Sequence, residues 1–377
     1  MRNCLQKDQV FNTTVNMVPI DEETALTILK NSEKDFVKGS LSLKKQLSLY
    51  VTYSRNVFIP LTHVCRNACG YCIFRKDVQH KNILTEKEVF SLLERAESLQ
   101  CTEALFTFGE KPEVYPQVRK ELAEMGYTTI IEYLRDLCEY TVEETSLLPH
   151  SNCGILTREE LFDLKPVNAS MGLMLETSSD RLMETEAHRH SPGKHPELRL
   201  ETIKRAGELK IPFTTGILVG IGETDLEIYQ SLGEIKKIQD KYNHIQEIII
   251  QNFQPKPETV MQNYNPVPVT KLVNIVVLAR WMFPGTPLQV PPNLNRESLD
   301  VLVQAGADDL GGISPVTPDF VNPEHGWPDI SQMSINVRER LPVYPKFISA
   351  EYLSPRVYEK AVLMTDEEGY VKWSHEH

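Results

Sequence analysis

The segment "HVCRNACGYC", residues 63–72, places Cys65, Cys69 and Cys72 within eight residues of a 377-residue chain that has 7 cysteines. Clustered thiols serve three kinds of chemistry: a structural zinc site, a redox pair, or an iron–sulfur cluster. Structural zinc is closed by four ligands, usually two cysteine pairs, and no second pair follows here. His63 and His80 lie near enough in sequence to complete a zinc set, but His63 precedes Cys65 by two residues, a cramped geometry. A redox pair needs two cysteines and leaves Cys65 unexplained. A [4Fe–4S] cluster normally takes four thiolates, so three leave one iron open to a small chelating molecule. Three unrelated buried thiols are the bland alternative, against which the tight spacing argues. Cys4, Cys101, Cys138 and Cys153 are scattered single thiols, as expected of a chain in a reducing cytoplasm.

The elements that must position this loop are legible as a rhythm. Apolar, β-rich runs occupy residues 56–62, 104–109, 128–134, 168–175, 212–220, 247–253, 287–293 and 308–314. Amphipathic stretches separate them, at 84–100, 195–210, 224–242 and, more apolar, 269–283. Thr85, with Glu88 three residues on, reads as a capping box that starts the first of these helices. Eight strands alternating with helices predict an α/β fold, a (β/α)8 TIM-type barrel over residues 51–330, with an open doubly wound sheet as the alternative. Residues 1–50 read as a helical extension and 331–377 as a C-terminal extension packed on the barrel. Barrel enzymes carry their chemistry at the C-terminal strand ends. The residues after the apolar runs suit this: Cys65, Gly109 with Glu110, Glu176, Gly222 with Glu223, Asn252, Gln254, Asn293 and Ser314.

Composition narrows the partners. A net charge of -12 with no basic stripe argues against nucleic acid and anionic membranes. No run approaches the ~18 apolar residues of a membrane span, and the opening residues lack the apolar core of a secretion signal.

Cys-x3-Cys-x2-Cys after a first barrel strand resembles the radical S-adenosylmethionine (SAM) superfamily. The resemblance implies a radical SAM barrel whose [4Fe–4S] cluster binds SAM at the open iron and cleaves it to a 5′-deoxyadenosyl radical. It also implies cofactor-binding roles. Tyr71, before the last cysteine, would contact adenine; otherwise it packs the loop. Phe108-Gly109-Glu110 stands where the superfamily has Gly-Gly-Glu, and the carboxylate would hold the methionine ammonium. Gly220 and Gly222 would form a backbone platform beside the adenine, or simply a tight turn. Glu176 would face the ribose or amino group, or cap a helix. Arg189, Ser191 and Lys194 would meet the SAM carboxylate, or belong to a solvated loop.

Longer stretches, "TFGEKPE", "IIIQNFQPKPET" and "GGISPVTPDFVNPEHGWP", resemble the family of the first subunit of 7,8-didemethyl-8-hydroxy-5-deazariboflavin (FO) synthase, the CofG family, over roughly residues 50–335. What this implies is a lyase of coenzyme F420 biosynthesis. It would convert a hydroxybenzyl adduct of ribityl-diaminouracil into the deazaflavin, with loss of ammonia. The second FO synthase subunit, itself a radical SAM enzyme, would be the pathway partner, and a low-potential donor would supply electrons. Primary amides match the donors and acceptors of a uracil ring, which makes Asn252, Gln254, Gln289 and Asn293 candidate substrate contacts. Asp308, Asp309, Ser314 and Thr317 would serve the ribityl chain, and Phe253 or Trp327 the phenol. His188, His190 and Asp319 are candidate proton acceptors. The alternatives are another radical SAM enzyme (the second subunit, a menaquinone-pathway, biotin-synthase-like or hydrogenase-maturation type), an iron–sulfur electron carrier, and a zinc-stabilised scaffold.

Overall fold

The computed structural model describes residues 20–372. Two helices lead in, α1 (Glu22–Lys30) and α2 (Lys34–Leu47). Strand β1 (Val51–Ile59) follows, then α3 (Glu86–Ser98) and β2 (Glu103–Thr107). Two helices, α4 (Pro116–Glu124) and α5 (Ile130–Glu144), precede β3 (Leu148–Asn152). The alternation then runs α6 (Arg158–Leu164), β4 (Ser170–Gly172), α7 (Pro196–Glu208), β5 (Phe213–Val219), α8 (Asp225–Tyr242) and β6 (Ile245–Asn252). It continues through α9 (Val269–Met282), β7 (Leu288–Gln289), α10 (Leu299–Gln304) and β8 (Asp309–Ile313). The tail adds β9 (Val337–Glu339) and α11 (Pro355–Met364).

All ladder pairings are parallel, and β1 joins both β8 and β2, so strands β1 to β8 close into a barrel. The expected (β/α)8 barrel is present. β1 divides its partners by height. Its lower half, Val51 to Tyr53, pairs with β9, and its upper half, Asn56 to Ile59, pairs with β2. The strands expected at 56–62 and 247–253 begin earlier than their apolar runs, at Val51 and Ile245.

One expected strand is a helix. Residues 128–134 start α5, because Thr129 and Glu132 form a capping box and Ile130, Ile131, Tyr133, Leu134, Leu137, Cys138 and Thr141 make a buried stripe at helical spacing. The third strand is instead "LPHSN", which pairs with β2 and β4 despite its polar residues and Pro149. The same T-x-x-E box starts α3, α6 and α8, and each cap is worth about 1 kcal/mol.

The barrel floor is plugged by the tail. Arg340 reaches between strands to Asp309 (2.7 Å) and Glu247 (3.0 Å), and the Tyr344 hydroxyl donates to Glu247 at 3.2 Å. Burial pushes the Glu247 carboxyl well above the usual carboxylate range, while Arg340 holds Asp309 below it against its own burial. Among the described residues, no helix is long and apolar enough to cross a membrane.

Candidate active site

The cysteine loop leaves the C-terminal end of β1 and lies over the barrel mouth, where backbone bonds pin it. Ala68 N–H donates to His190 O at 2.9 Å, Gly70 N–H to Ala187 O at 3.0 Å, and Arg66 N–H to Glu110 O at 3.0 Å. The loop approaches the end of β2 so closely that a Cβ on Gly109 would sit 2.0 Å from the Val64 carbonyl oxygen. Glycine is required there for contact, whatever binds above it.

Two thiols already accept hydrogen bonds. Cys65 Sγ accepts from the N–H of Glu110 (3.2 Å) and of Asn67 (3.4 Å), and Cys69 Sγ accepts from Ser191 Oγ (3.3 Å). Burial pushes the Cys69 thiol up to about 11 and raises Cys65, the latter against the two N–H bonds that favour its thiolate. Such donors stabilise sulfur ligands of a cluster. Among the described residues, no three His, Cys, Asp or Glu side chains converge on one metal-ion position. Three thiols on one loop, two of them already met by N–H or O–H donors, are a donor set that suits an iron–sulfur cluster. His63, a candidate zinc ligand by sequence, turns Nδ1 to Phe74 O at 2.9 Å and packs its ring on Phe74.

Beneath the loop is a cavity of about 240 Å³ lined by the three cysteines, Tyr71, Phe108, Glu110, Glu176, Lys194 and Arg199 from one side and Gln251, Asn252, Phe253, Gln254 and Lys256 from the other. Glu110 accepts from Arg66 Nε (2.8 Å) and Ile155 N–H (3.2 Å), with Arg199 at 3.6 Å. Burial raises this carboxyl, but the two guanidiniums outweigh it and hold it below the usual range. Gly193 makes room for it, since a Cβ there would lie 1.6 Å from Glu110 Oε1. Glu176, four residues past β4 and bridged to Ile217 of β5, has φ +66° and accepts from Lys194 Nζ at 2.5 Å. Lys194 and Arg199 keep it ionised despite its burial. The ring of Tyr71 is fixed by a 3.1 Å bond from its hydroxyl to His188 Nε2. His188 is fully buried, and desolvation together with Lys194 pushes it down to about 3, so it is neutral. Gly220 and Gly222 take φ +96° and +108°, and Glu223 closes their turn by accepting from the N–H of Gly220 and of Ile221.

Several expected residues lie elsewhere. Arg189 and His190 are exposed, and Arg189 donates to Glu184 O, because Ala187 and His188 are the inward pair of that segment. Ser191 is spent on Cys69 rather than offered to a carboxylate. Asp308 is at the floor: it precedes β8, and there it pairs with Arg280 at 2.8 Å. Asp309, engaged by Arg340, starts that strand. Gln289 sits level with Asp309, its amide packed over Gly311. Ser314 and Thr317 bond one another at 3.0 Å. Asp319 organises its loop, accepting from Asn293, Asn322 and the N–H of Val321. Trp327 donates to Thr317 O, outside the cavity lining, whereas Phe253 is part of it. A larger groove of about 1980 Å³ opens at the floor between α2, α9 and the tail, and none of the three clustered cysteines reaches it.

Residues 59–235 match the radical SAM superfamily. The 7,8-didemethyl-8-hydroxy-5-deazariboflavin synthase of Methanocaldococcus jannaschii is 50% identical over 354 residues, 92% of this chain and 98% of that protein. The enzyme of the same name from Methanothermobacter thermautotrophicus is 54% identical over 317 residues, 82% of this chain and 96% of that one. The chain belongs to the 7,8-didemethyl-8-hydroxy-5-deazariboflavin synthase family of radical SAM proteins.

Solved structures agree on the fold. The FeFe-hydrogenase maturase HydG of Carboxydothermus hydrogenoformans superposes with TM-score 0.66 at 19% identity, covering 84% of this chain and 72% of that one. Methylornithine synthase (PylB) gives 0.62 at 18%, covering 82% and 86%. Sequence reading did not single out Asn67, Arg199 and Lys256, which line the cavity, or Arg66 and Gly193, which lie against Glu110. Arg199 left a signal: it falls on the buried face of α7 with Thr202, Ile203 and Ala206, where an unpaired charge would be costly.

Proposed function

We propose that the chain is a radical SAM lyase, the first subunit of FO synthase. Its substrate is 5-amino-5-(4-hydroxybenzyl)-6-(D-ribitylimino)-5,6-dihydrouracil, its co-substrate SAM, and its products FO, 5′-deoxyadenosine, methionine and ammonia. The observation that carries this reading is the meeting of three thiols with two ionised carboxylates at the mouth of a barrel of this family. A bound [4Fe–4S] cluster supplies the electron that cleaves SAM and generates the 5′-deoxyadenosyl radical.

The chain's own residues do the rest. Cys65, Cys69 and Cys72 hold the cluster. Glu110, fixed by Arg66 and Arg199, presents a full negative charge to the methionine ammonium. Lys194 and Glu176 offer one charge of each sign to the carboxylate and the ribose side of SAM. Tyr71, held by neutral His188, offers a ring face to the adenine beside the Gly220 turn. Asn252, Gln254 and Gln251 address the uracil ring. Strand alternation would put Gln251 on the opposite face, yet all three line the cavity because β6 ends at Asn252. Phe253, packed with Tyr71, Leu218 and Met261, forms the apolar wall. The loop's closure over the mouth keeps the radical from water. The second subunit supplies the adduct, a low-potential donor the electrons, and a reducing cytoplasm preserves the cluster.

The test uses adduct deuterated at the benzylic carbon, with SAM and reductant under anaerobic conditions. The expected result is deuterium in 5′-deoxyadenosine together with deazaflavin fluorescence. Unlabelled 5′-deoxyadenosine and no fluorescence, with adduct shown intact, would overturn the assignment.

A further inference from the structure

Lys256 stands in the loop that leaves β6, within "QPKPE". Its side chain is 5% exposed and lines the same cavity as the three cysteines. The ammonium donates to the carbonyl of Val321, which uses one of three N–H donors. The other cations of the cavity each face a carboxylate of the chain: Lys194 faces Glu176 at 2.5 Å, Arg199 faces Glu110 at 3.6 Å and Arg75 faces Asp77 at 3.2 Å. Among the described residues, Lys256 makes no such ion pair. A buried cation without an ion-pair partner is costly, and a ligand that completes its shell would offset that cost. Burial lowers the proton affinity of Lys256, and Glu324, Cys72 and Asp319 oppose this without forming an ion pair.

Its neighbours specify what that ligand is. Gln254, two residues before it, lines the cavity with an amide that no described residue engages, and Asn252 uses its oxygen on Asn295 at 2.8 Å, which leaves its N–H donors. A cation and amides at one wall suit a planar ring that carries carbonyl oxygens and N–H groups. The apolar cluster around Phe253 suits the phenol instead. We infer that Lys256 is a substrate-binding and specificity-determining residue that donates to a carbonyl oxygen of the pyrimidinedione ring. This deepens the FO synthase reading and rests on it.

The test compares the cluster-reconstituted protein with Lys256→Met and with Lys256→Gln, which keeps a donor for the Val321 carbonyl. Direct binding is measured without turnover for two probes, 5-amino-6-ribitylaminouracil and 4-methylphenol, and KM for the adduct is measured separately. Iron content and the spectral change on adding SAM report whether the variants are intact. The expected result is a tenfold or larger rise in Kd for the pyrimidinedione and in KM in both variants, with 4-methylphenol binding within twofold of the parent. Equal pyrimidinedione affinity in parent and variants, or a loss confined to the phenol, would overturn the inference. A parent that binds the pyrimidinedione through Lys256 but makes no deazaflavin would overturn the functional reading and leave the residue's role standing. A parent that binds no pyrimidinedione would overturn both.

Discussion

At the residue scale, the site depends on buried polar groups held in charge balance. Cys72 is half-buried and Cys72→Ala removes one of three ligands without opening the core. Iron incorporation and SAM cleavage should both be lost while the thermal transition stays within a few degrees of the parent. A variant that still cleaves SAM would contradict the ligand assignment. Tyr71→Phe has a different expected signature. His188 Nδ1 has no partner among the described residues, and the Tyr71 hydroxyl is the partner of Nε2. Its removal leaves the imidazole unbonded inside the protein, at a cost of about 1–3 kcal/mol. A denaturant midpoint unchanged from the parent would show that the pair contributes nothing. Thiol spacing was legible because a cluster fixes residue type. The directions of Arg189 and His190 were not, because a turn rather than a periodic element decides which residues of that segment face inward.

At the element scale, the elements that carry a local signal were the legible ones. The T-x-x-E boxes are local chemistry, and α8 and α9 fall where the amphipathic stretches put them. β3 was hidden because its pairing is long-range: "LPHSN" is held by β2 and β4, not by its own propensity. That strand carries His150 inside the barrel, Nδ1 bonded to Ser170 Oγ at 2.7 Å, and burial pushes it down to about 3. An unfolded histidine titrates near ~6.5. As pH falls below that value the unfolded chain binds a proton that native His150 refuses, so stability falls. The loss is about 1.4 kcal/mol per pH unit and ends near the native value of about 3. His150→Gln should lack this contribution. Its stability difference from the parent should therefore shift in the variant's favour between pH 6 and pH 4 in urea titrations. A pH-independent difference would rule out a neutral buried His150.

At the scale of the whole molecule, the barrel separates two ends. The mouth carries the chemistry, and the floor is closed by the tail, where Arg340 neutralises Asp309 and shares Glu247 with Tyr344. Arg340→Met should destabilise the protein by about 3–5 kcal/mol, because it leaves the buried Asp309 carboxylate without its cation. A guanidinium-chloride midpoint equal to the parent's would show the plug to be dispensable. Asp308 and Asp309, expected as ribityl contacts, belong to this end: the apolar run 308–314 was recognised, but the two aspartates stand at its N-terminal end, which a parallel barrel sends to the floor. The two-sided mouth was legible in outline, with glycine and carboxylate after β2 and β5, a carboxylate after β4 and amides after β6. The cations between them were not, since Arg66, Arg199 and Lys256 sit among ordinary-looking charges whose burial depends on closure of the barrel.

The central claim is that this mouth couples SAM cleavage to deazaflavin formation. The most direct test reconstitutes the protein anaerobically, supplies SAM, reductant and the hydroxybenzyl adduct, and follows 5′-deoxyadenosine and deazaflavin fluorescence together. The account predicts that both appear, with deazaflavin absent when the adduct is withheld. Sustained 5′-deoxyadenosine without deazaflavin, from adduct that a related FO synthase converts in parallel, would contradict it.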